Sequence, residues 1–134
     1  TLTYNTIGRH LSRMVNTKVI STKSPWMCDA KAGEIYTVPI SHGEGRFIAS
    51  PQQVLEFNKT GQIATQYVDF DGIASMDSRF NPNQSVAAIE GIYSPDGRVF
   101  GKMAHSERCG AGISKNIYGQ LEMPIFTSGV KYFK

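Results

Sequence analysis

Four consecutive residues, Ser94-Pro95-Asp96-Gly97, constrain the fold of this chain more than any others. Pro fixes φ at the second position of a turn, Asp bonds back to nearby backbone, and Gly accepts a left-handed conformation at the end. Apolar runs flank the four at residues 86–93 and 98–104, so the segment is predicted to be a β-hairpin. Further strands are predicted at residues 14–21, 36–41 and 46–50 from β-branched content, and at 62–69 from half-buried alternation. Ser24-Pro25-Trp26 ends the first of these. Pro39, inside the second, implies an edge, a bulge or a strand end, because proline cannot donate to a central ladder. One helix stands out at residues 51–59. Ser50 suits its N-cap, Pro51 its first position and Gly61 its close, while Val54, Leu55 and Phe57 give it an apolar side. Past His105, Gly110, Gly112 and Gly119 point to loop, and residues 125–133 return to apolar content. The sum is a β-rich α/β chain, residues 1–134 forming one unit, with hairpins and few helices. It lacks the strand-helix alternation of a complete doubly wound domain.

Composition narrows the setting. No apolar run approaches the roughly 18 to 20 residues needed to span a bilayer, and the first 20 residues have no apolar core. A soluble, unexported chain is expected. Two cysteines, Cys28 and Cys109, are too few for a disulfide framework, which suits a reduced, cytoplasmic setting. The net charge of +3 is uneven. Arg9, Arg13, Lys18 and Lys23 precede the first acidic residue, Asp29, giving residues 1–28 a charge of +4. That segment faces either phosphate or solvent.

Two segments can carry chemistry. In Ser41-His42-Gly43-Glu44-Gly45-Arg46, glycines permit a sharp turn, and His42 with Glu44 offers either a titratable pair or a solvated turn. In His105-Ser106-Glu107-Arg108, the histidine follows a strand, where ligands of open sheets bind. A neutral imidazole there can take a proton from a nucleophile. Glu107 can fix its tautomer if the backbone folds back; otherwise Glu107 and Arg108 form a solvated ion pair. Asn81-Pro82-Asn83-Gln84-Ser85 reads as a plain loop, with a pocket wall as the alternative. Cys109 lies in a Gly-rich stretch and Cys28 has no elbow context, so both read as ordinary thiols rather than nucleophiles. His10, His42, His105 and the cysteines have no ligand spacing, so no metal is expected.

Taken in order, Gly8-Arg9-His10, Ser24-Pro25-Trp26, Pro39-Ile40-Ser41-His42-Gly43-Glu44-Gly45, Asn81-Pro82-Asn83, Ile89-Glu90-Gly91 and Gly101-Lys102-Met103-Ala104-His105-Ser106-Glu107-Arg108 carry a resemblance. The chain resembles the C-terminal part of the class I glutamine amidotransferase domain of phosphoribosylformylglycinamidine synthase. That resemblance implies a portion of a flavodoxin-like domain with a mixed sheet. It implies glutamine as substrate, a Cys-His-Glu triad, and ammonia passed to a synthetase domain of the same enzyme. His105 and Glu107 then take the general-base and orienting roles, and Ser41, His42 and Gly43 wall the glutamine pocket. Many relatives have Pro where this chain has Ser106. The family's nucleophile elbow has no match here, so the chain alone is expected not to hydrolyse glutamine. The resemblance further implies no cofactor in this chain, with ATP and magnesium in the synthetase domain, and an ending at residues 128–133 like that of the single-chain enzyme. A non-catalytic interaction module that self-associates through unpaired edges is the alternative. Membrane and nucleic-acid partners are not expected: Tyr36, Phe47, Tyr67 and Phe70 are not interleaved with basic residues as stacking platforms are.

Overall fold

The computed structural model describes all 134 residues. Strands β2 (Leu11–Val19), β3 (Ile35–His42), β5 (Ile63–Tyr67), β6 (Ile89–Tyr93) and β7 (Phe100–Lys102) form one sheet in the order β3-β2-β5-β6-β7. Every pairing in it is antiparallel. Two short strands, β1 (Leu2–Thr3) and β4 (Arg46–Phe47), pair separately. Residues 46–50, expected as a full strand, therefore contribute only Arg46 and Phe47. The rest of that stretch leads into helix α1 (Pro51–Lys59).

Local chemistry accounts for the hairpin. Gly97 N–H donates to Ser94 O at 2.9 Å and Gly97 has φ of 75°, a conformation that a Cβ would strain. Asp96 Oδ1 accepts from Ser94 Oγ at 2.6 Å and from Arg98 N at 3.1 Å, which closes the turn between β6 and β7. Helix α1 occupies the expected residues. Its N-terminus is a capping box in which Ser50 Oγ accepts from Gln53 N and Gln53 Oε1 accepts from Ser50 N. The expected apolar side is narrower than the sequence suggests. Leu55 is 71% exposed, and only Val54 and Phe57 are half-buried, with the Phe57 ring 6.3 Å from that of Phe47.

Strand β5 departs from its expected half-buried pattern. It is flanked by β2 and β6, and Ile63, Ala64, Thr65 and Tyr67 are all buried. Its polar side chains face inward because partners await them: Thr65 Oγ1 donates to the Glu90 carboxylate, and the Tyr67 hydroxyl meets Asn83 Nδ2 at 3.0 Å. The apolar core gathers Val15, Val19, Tyr36, Val38, Ile40 and Tyr93 around this strand.

Pro39 sits on β3, the edge strand, as its missing donor requires. The sheet curls until the chain leaving β7 meets that opposite edge, where His105 N–H donates to Pro39 O at 2.8 Å. This contact brings the two chemical segments together. A second helix, α2 (Ile125–Tyr132), occupies the apolar stretch near the end and packs on a 3-10 turn at Pro25–Met27. Gly129 makes that packing possible: a Cβ there would lie 2.5 Å from the Trp26 ring. No helix is long and apolar enough to cross a membrane.

Candidate functional site

The site forms where the end of β3 faces the turn after β7. Ala104 and Ser106 are buried on either side of His105, and Arg108 N–H donates back to His105 O at 3.2 Å. That fold-back carries Glu107 to the imidazole: Glu107 Oε1 lies 2.6 Å from His105 Nδ1. A carboxylate only accepts, so Nδ1 carries the proton and Nε2 of the neutral ring keeps its lone pair. Nε2 points toward β3, 3.4 Å from Ser41 O. Once protonated, it can donate to that carbonyl. The alternative sequence reading is present as well, since Arg108 Nε lies 3.8 Å from the same Glu107 oxygen. Both side chains of that second pair are about half exposed, and it adds little. Partial burial pushes the Glu107 carboxyl upward, but a backbone N–H, His105 and Arg108 outweigh it and leave its pKa below the ordinary value.

Opposite lie Ser41 and His42, at the end of β3, followed by Gly43. Ser41 Oγ is 3.1 Å from His10 Nε2, so all three histidines of the chain converge on this strand end. They do not form a metal centre: no three His, Cys, Asp or Glu side chains are placed to hold an ion. Of the two readings of His42 and Glu44, the titratable pair is not formed. Glu44 is exposed, and the His42 ring turns inward to meet Asn83 Nδ2 at 3.2 Å. Gly45 makes room for it, because a Cβ at Gly45 would fall 1.9 Å from the ring. Burial holds the His42 pKa below its ordinary value, and the nearby charges of His105 and His10 act in the same direction.

Residues 81–85 are not a plain loop. Asn81, Asn83 and Ser85 are fully buried. Asn81 Oδ1 accepts from Ser85 N at 3.0 Å while its Nδ2 donates to Ser85 O at 2.8 Å. Ser85 Oγ in turn donates to Gly45 O. From the other side, Asn5 Nδ2 donates to His42 O at 2.7 Å and Asn5 Oδ1 accepts from Gly45 N at 3.0 Å. Sequence reasoning missed Asn5. Its signal, a lone Asn in a polar stretch, does not stand out without the fold.

Neither cysteine is paired with the dyad. Cys28 Sγ contacts Ser128 O at 3.7 Å and Cys109 Sγ contacts Ser106 O at 3.1 Å. A groove of about 660 Å³ opens beside the dyad, lined by Trp26, Phe100, Lys102, His105, Glu107 and Phe126 among others. A larger groove of about 810 Å³, bordered by Arg13, Phe70, Arg79 and Tyr118, contains none of these site residues.

Residues 1–133 match the CobB/CobQ-like glutamine amidotransferase domain model. A phosphoribosylformylglycinamidine synthase subunit PurQ of Thermomicrobium roseum is 38% identical over 91 residues, covering 68% of this chain and 38% of that protein. The subunit of the same name from Methanosarcina barkeri is 31% identical over 132 residues, covering 98% of this chain and 54% of that protein. A solved structure of PurLQS from Thermotoga maritima superposes with a TM-score of 0.71 at 25% identity, covering 100% of this chain and 53% of that one. The chain thus spans about half the length, or less, of the relatives it matches.

Proposed function

The chain belongs to the CobB/CobQ-like glutamine amidotransferase family, and on that premise we propose that it forms part of the glutaminase of phosphoribosylformylglycinamidine synthase. In this role His105 is the general base and Glu107 the group that orients it. The observation that carries the proposal is the 2.6 Å contact between His105 Nδ1 and Glu107 Oε1, with Nε2 left free on the side of Ser41. A lone pair on Nε2 can accept the proton of a thiol as it attacks the amide carbon of glutamine. The same nitrogen then returns the proton to the departing ammonia, and Glu107 stabilises the imidazolium in between. Ser41, His42 and Gly43 line the side on which glutamine lies.

Cys28 and Cys109 are engaged elsewhere, so the thiol comes from the part of the relatives that this chain does not span. Water then hydrolyses the resulting thioester to glutamate. The ammonia passes to a synthetase partner, where ATP and magnesium serve a ligase reaction on formylglycinamide ribonucleotide in the cytoplasm.

The test is a glutaminase assay on this chain alone and on the complete domain, each with and without His105→Ala. Activity confined to the complete domain and abolished by the substitution is the expected result. Activity of the chain by itself would assign the nucleophile to Cys28 or Cys109 and refute the proposal.

A second role rests on a different observation. Val99 and Phe126, which line the groove at the dyad, are each more than half exposed, as is Val130, which borders an adjoining groove with Phe126. Such a face suits docking of the remaining part of the domain, or of a second copy when that part is absent. Concentration-dependent association of the isolated chain, relieved by Phe126→Glu, is the expected signature. An isolated chain that stays monomeric at high concentration would remove this second role.

A further inference from the structure

Glu90 and Lys102 form an ion pair whose side chains are 0% and 11% exposed, with Lys102 Nζ 3.3 Å from Glu90 Oε1. Lys102 lines the groove beside the dyad and Glu90 does not, and a buried pair is by itself weak support for stability. Its bonds explain its place. Glu90 Oε2 accepts from Thr65 Oγ1, while Oε1 accepts from the backbone N–H groups of Met103 at 3.1 Å and Ala104 at 2.7 Å. Lys102 Nζ donates to Ala104 O at 2.8 Å and to Ser106 Oγ at 3.1 Å. One carboxylate and one ammonium therefore grip residues 103–106 from both the donor and the acceptor side. His105 lies within that grip and Glu107 directly after it, and neither is buried enough to be fixed by packing: their side chains are 27% and 55% exposed.

We infer that Glu90 and Lys102 are positioning residues for the His105–Glu107 dyad, acting through Ser106, and that Thr65 anchors them to the central strand β5. The inference rests on the assignment of the dyad proposed above. Its physical basis is the turn itself. For Glu107 to reach the imidazole of a residue two positions earlier, the backbone must leave the extended geometry of β7 at once. Ala104 O and Ser106 Oγ both turn toward a single ammonium, and that shared cation holds the fold-back. Without it, the carboxylate is free to leave the ring for Arg108 or for water, and the tautomer is no longer set.

The experiment compares Ser106→Ala, Lys102→Met and the double variant Glu90→Gln/Lys102→Met. The double variant avoids stranding a buried carboxylate and guards against simple misfolding. The first readout is the imidazole 15N spectrum of His105 in the 134-residue chain. It requires no activity and reports the proton directly. The parent chain is expected to show a fixed Nδ1–H tautomer, and all three variants an averaged one, with thermal midpoints recorded alongside. The second readout is steady-state glutaminase kinetics of the complete domain. There kcat is expected to fall by up to about 10²-fold with KM little changed, as for a misplaced catalytic group. Ser106→Ala should give the smallest loss, since it removes one acceptor. A lowered midpoint with an unchanged 15N spectrum and unchanged kcat would overturn the inference, because the pair would then serve stability alone. Averaged spectra combined with a fully active His105→Ala enzyme would leave the positioning intact and refute the catalytic assignment instead.

Discussion

The turn at Ser41–Gly45 is held by neutral groups, whereas the facing turn at 104–107 hangs from a buried charge. Asn5, Asn83 and Ser85 grip the first turn with separate amide and hydroxyl bonds to His42 and Gly45. Glu90 and Lys102 grip the second through five contacts that share two charged atoms, Glu90 Oε1 and Lys102 Nζ. Removing one neutral partner leaves the others in place. Removing either charge strands its partner in the interior and releases the whole turn at once. On the proposed function, the neutral turn is the wall of the site, where shape is required, and the charged one aims the dyad, where direction is required.

The largest effect that separates the two is expected at the charged turn. Lys102→Met leaves the Glu90 carboxylate buried and unpaired, and should cost about 3 to 5 kcal/mol in urea denaturation. The double variant Glu90→Gln/Lys102→Met should recover much of that loss, and failure to recover it would mean that packing, not charge, holds this turn.

Next is the neutral turn. A Cβ on residue 45 would overlap the His42 ring, so Gly45→Ala forces the ring off Asn83 and should cost about 1 to 3 kcal/mol. A loss close to zero would show that His42 has a second resting place.

Smaller again is the pH response of the neutral turn. His42 has a folded pKa below its ordinary 6.5. Its contribution to stability is therefore complete above pH 6.5 and is lost as the pH falls through the lower folded value. The charges of His10 and His105 act on the same ring in the same direction. Unfolding free energy measured from about pH 7 to 5 should decline for the parent chain. The slope should flatten in His42→Gln. Glu107 also has a lowered pKa, and its contribution is lost in the same direction but only below about 4.5. The loss from His42 thus begins below 6.5 and that from Glu107 only below 4.5.

The smallest effect belongs to neither turn. Arg79 and Asp77 form an ion pair at 2.7 Å, with side chains 76% and 37% exposed. Arg79→Ala should leave the urea midpoint almost unchanged, as for an exposed, solvent-screened pair. A larger loss would point to its stacking over the Phe80 ring.

The contrast also marks what the sequence discloses. The hairpin at 94–97 and the helix at 51–59 are legible because their bonds close within five residues. The dyad is legible for the same reason, its members lying two positions apart. What fixes the dyad is not local. Thr65 and Glu90 are separated by 25 residues, and Asn83 and His42 by 41. Thr65 reads as the polar face of an alternating strand, and Asn83 as loop, until the fold buries both. Helix α2 is obscured by Thr127, Ser128 and Gly129, which weaken its helical pattern; Ser128 and Gly129 serve its packing on Asp29 and Trp26 instead. The curl that joins His105 to Pro39 leaves no trace in periodicity at all, since it is a single backbone bond between opposite edges of the sheet.

The most direct test of the dyad is the glutaminase activity of Glu107→Gln in the complete domain. Glu107 is more than half exposed, so the substitution should leave stability almost unchanged. It replaces an obligate acceptor with a neutral amide that can accept from Nδ1–H or donate to the ring, so the tautomer is no longer fixed and the imidazolium loses its counter-charge. A fall in kcat of roughly 10²-fold or more with the unfolding midpoint preserved is expected. Parental activity in Glu107→Gln would contradict the account, leaving the 2.6 Å contact as an ordinary surface pair.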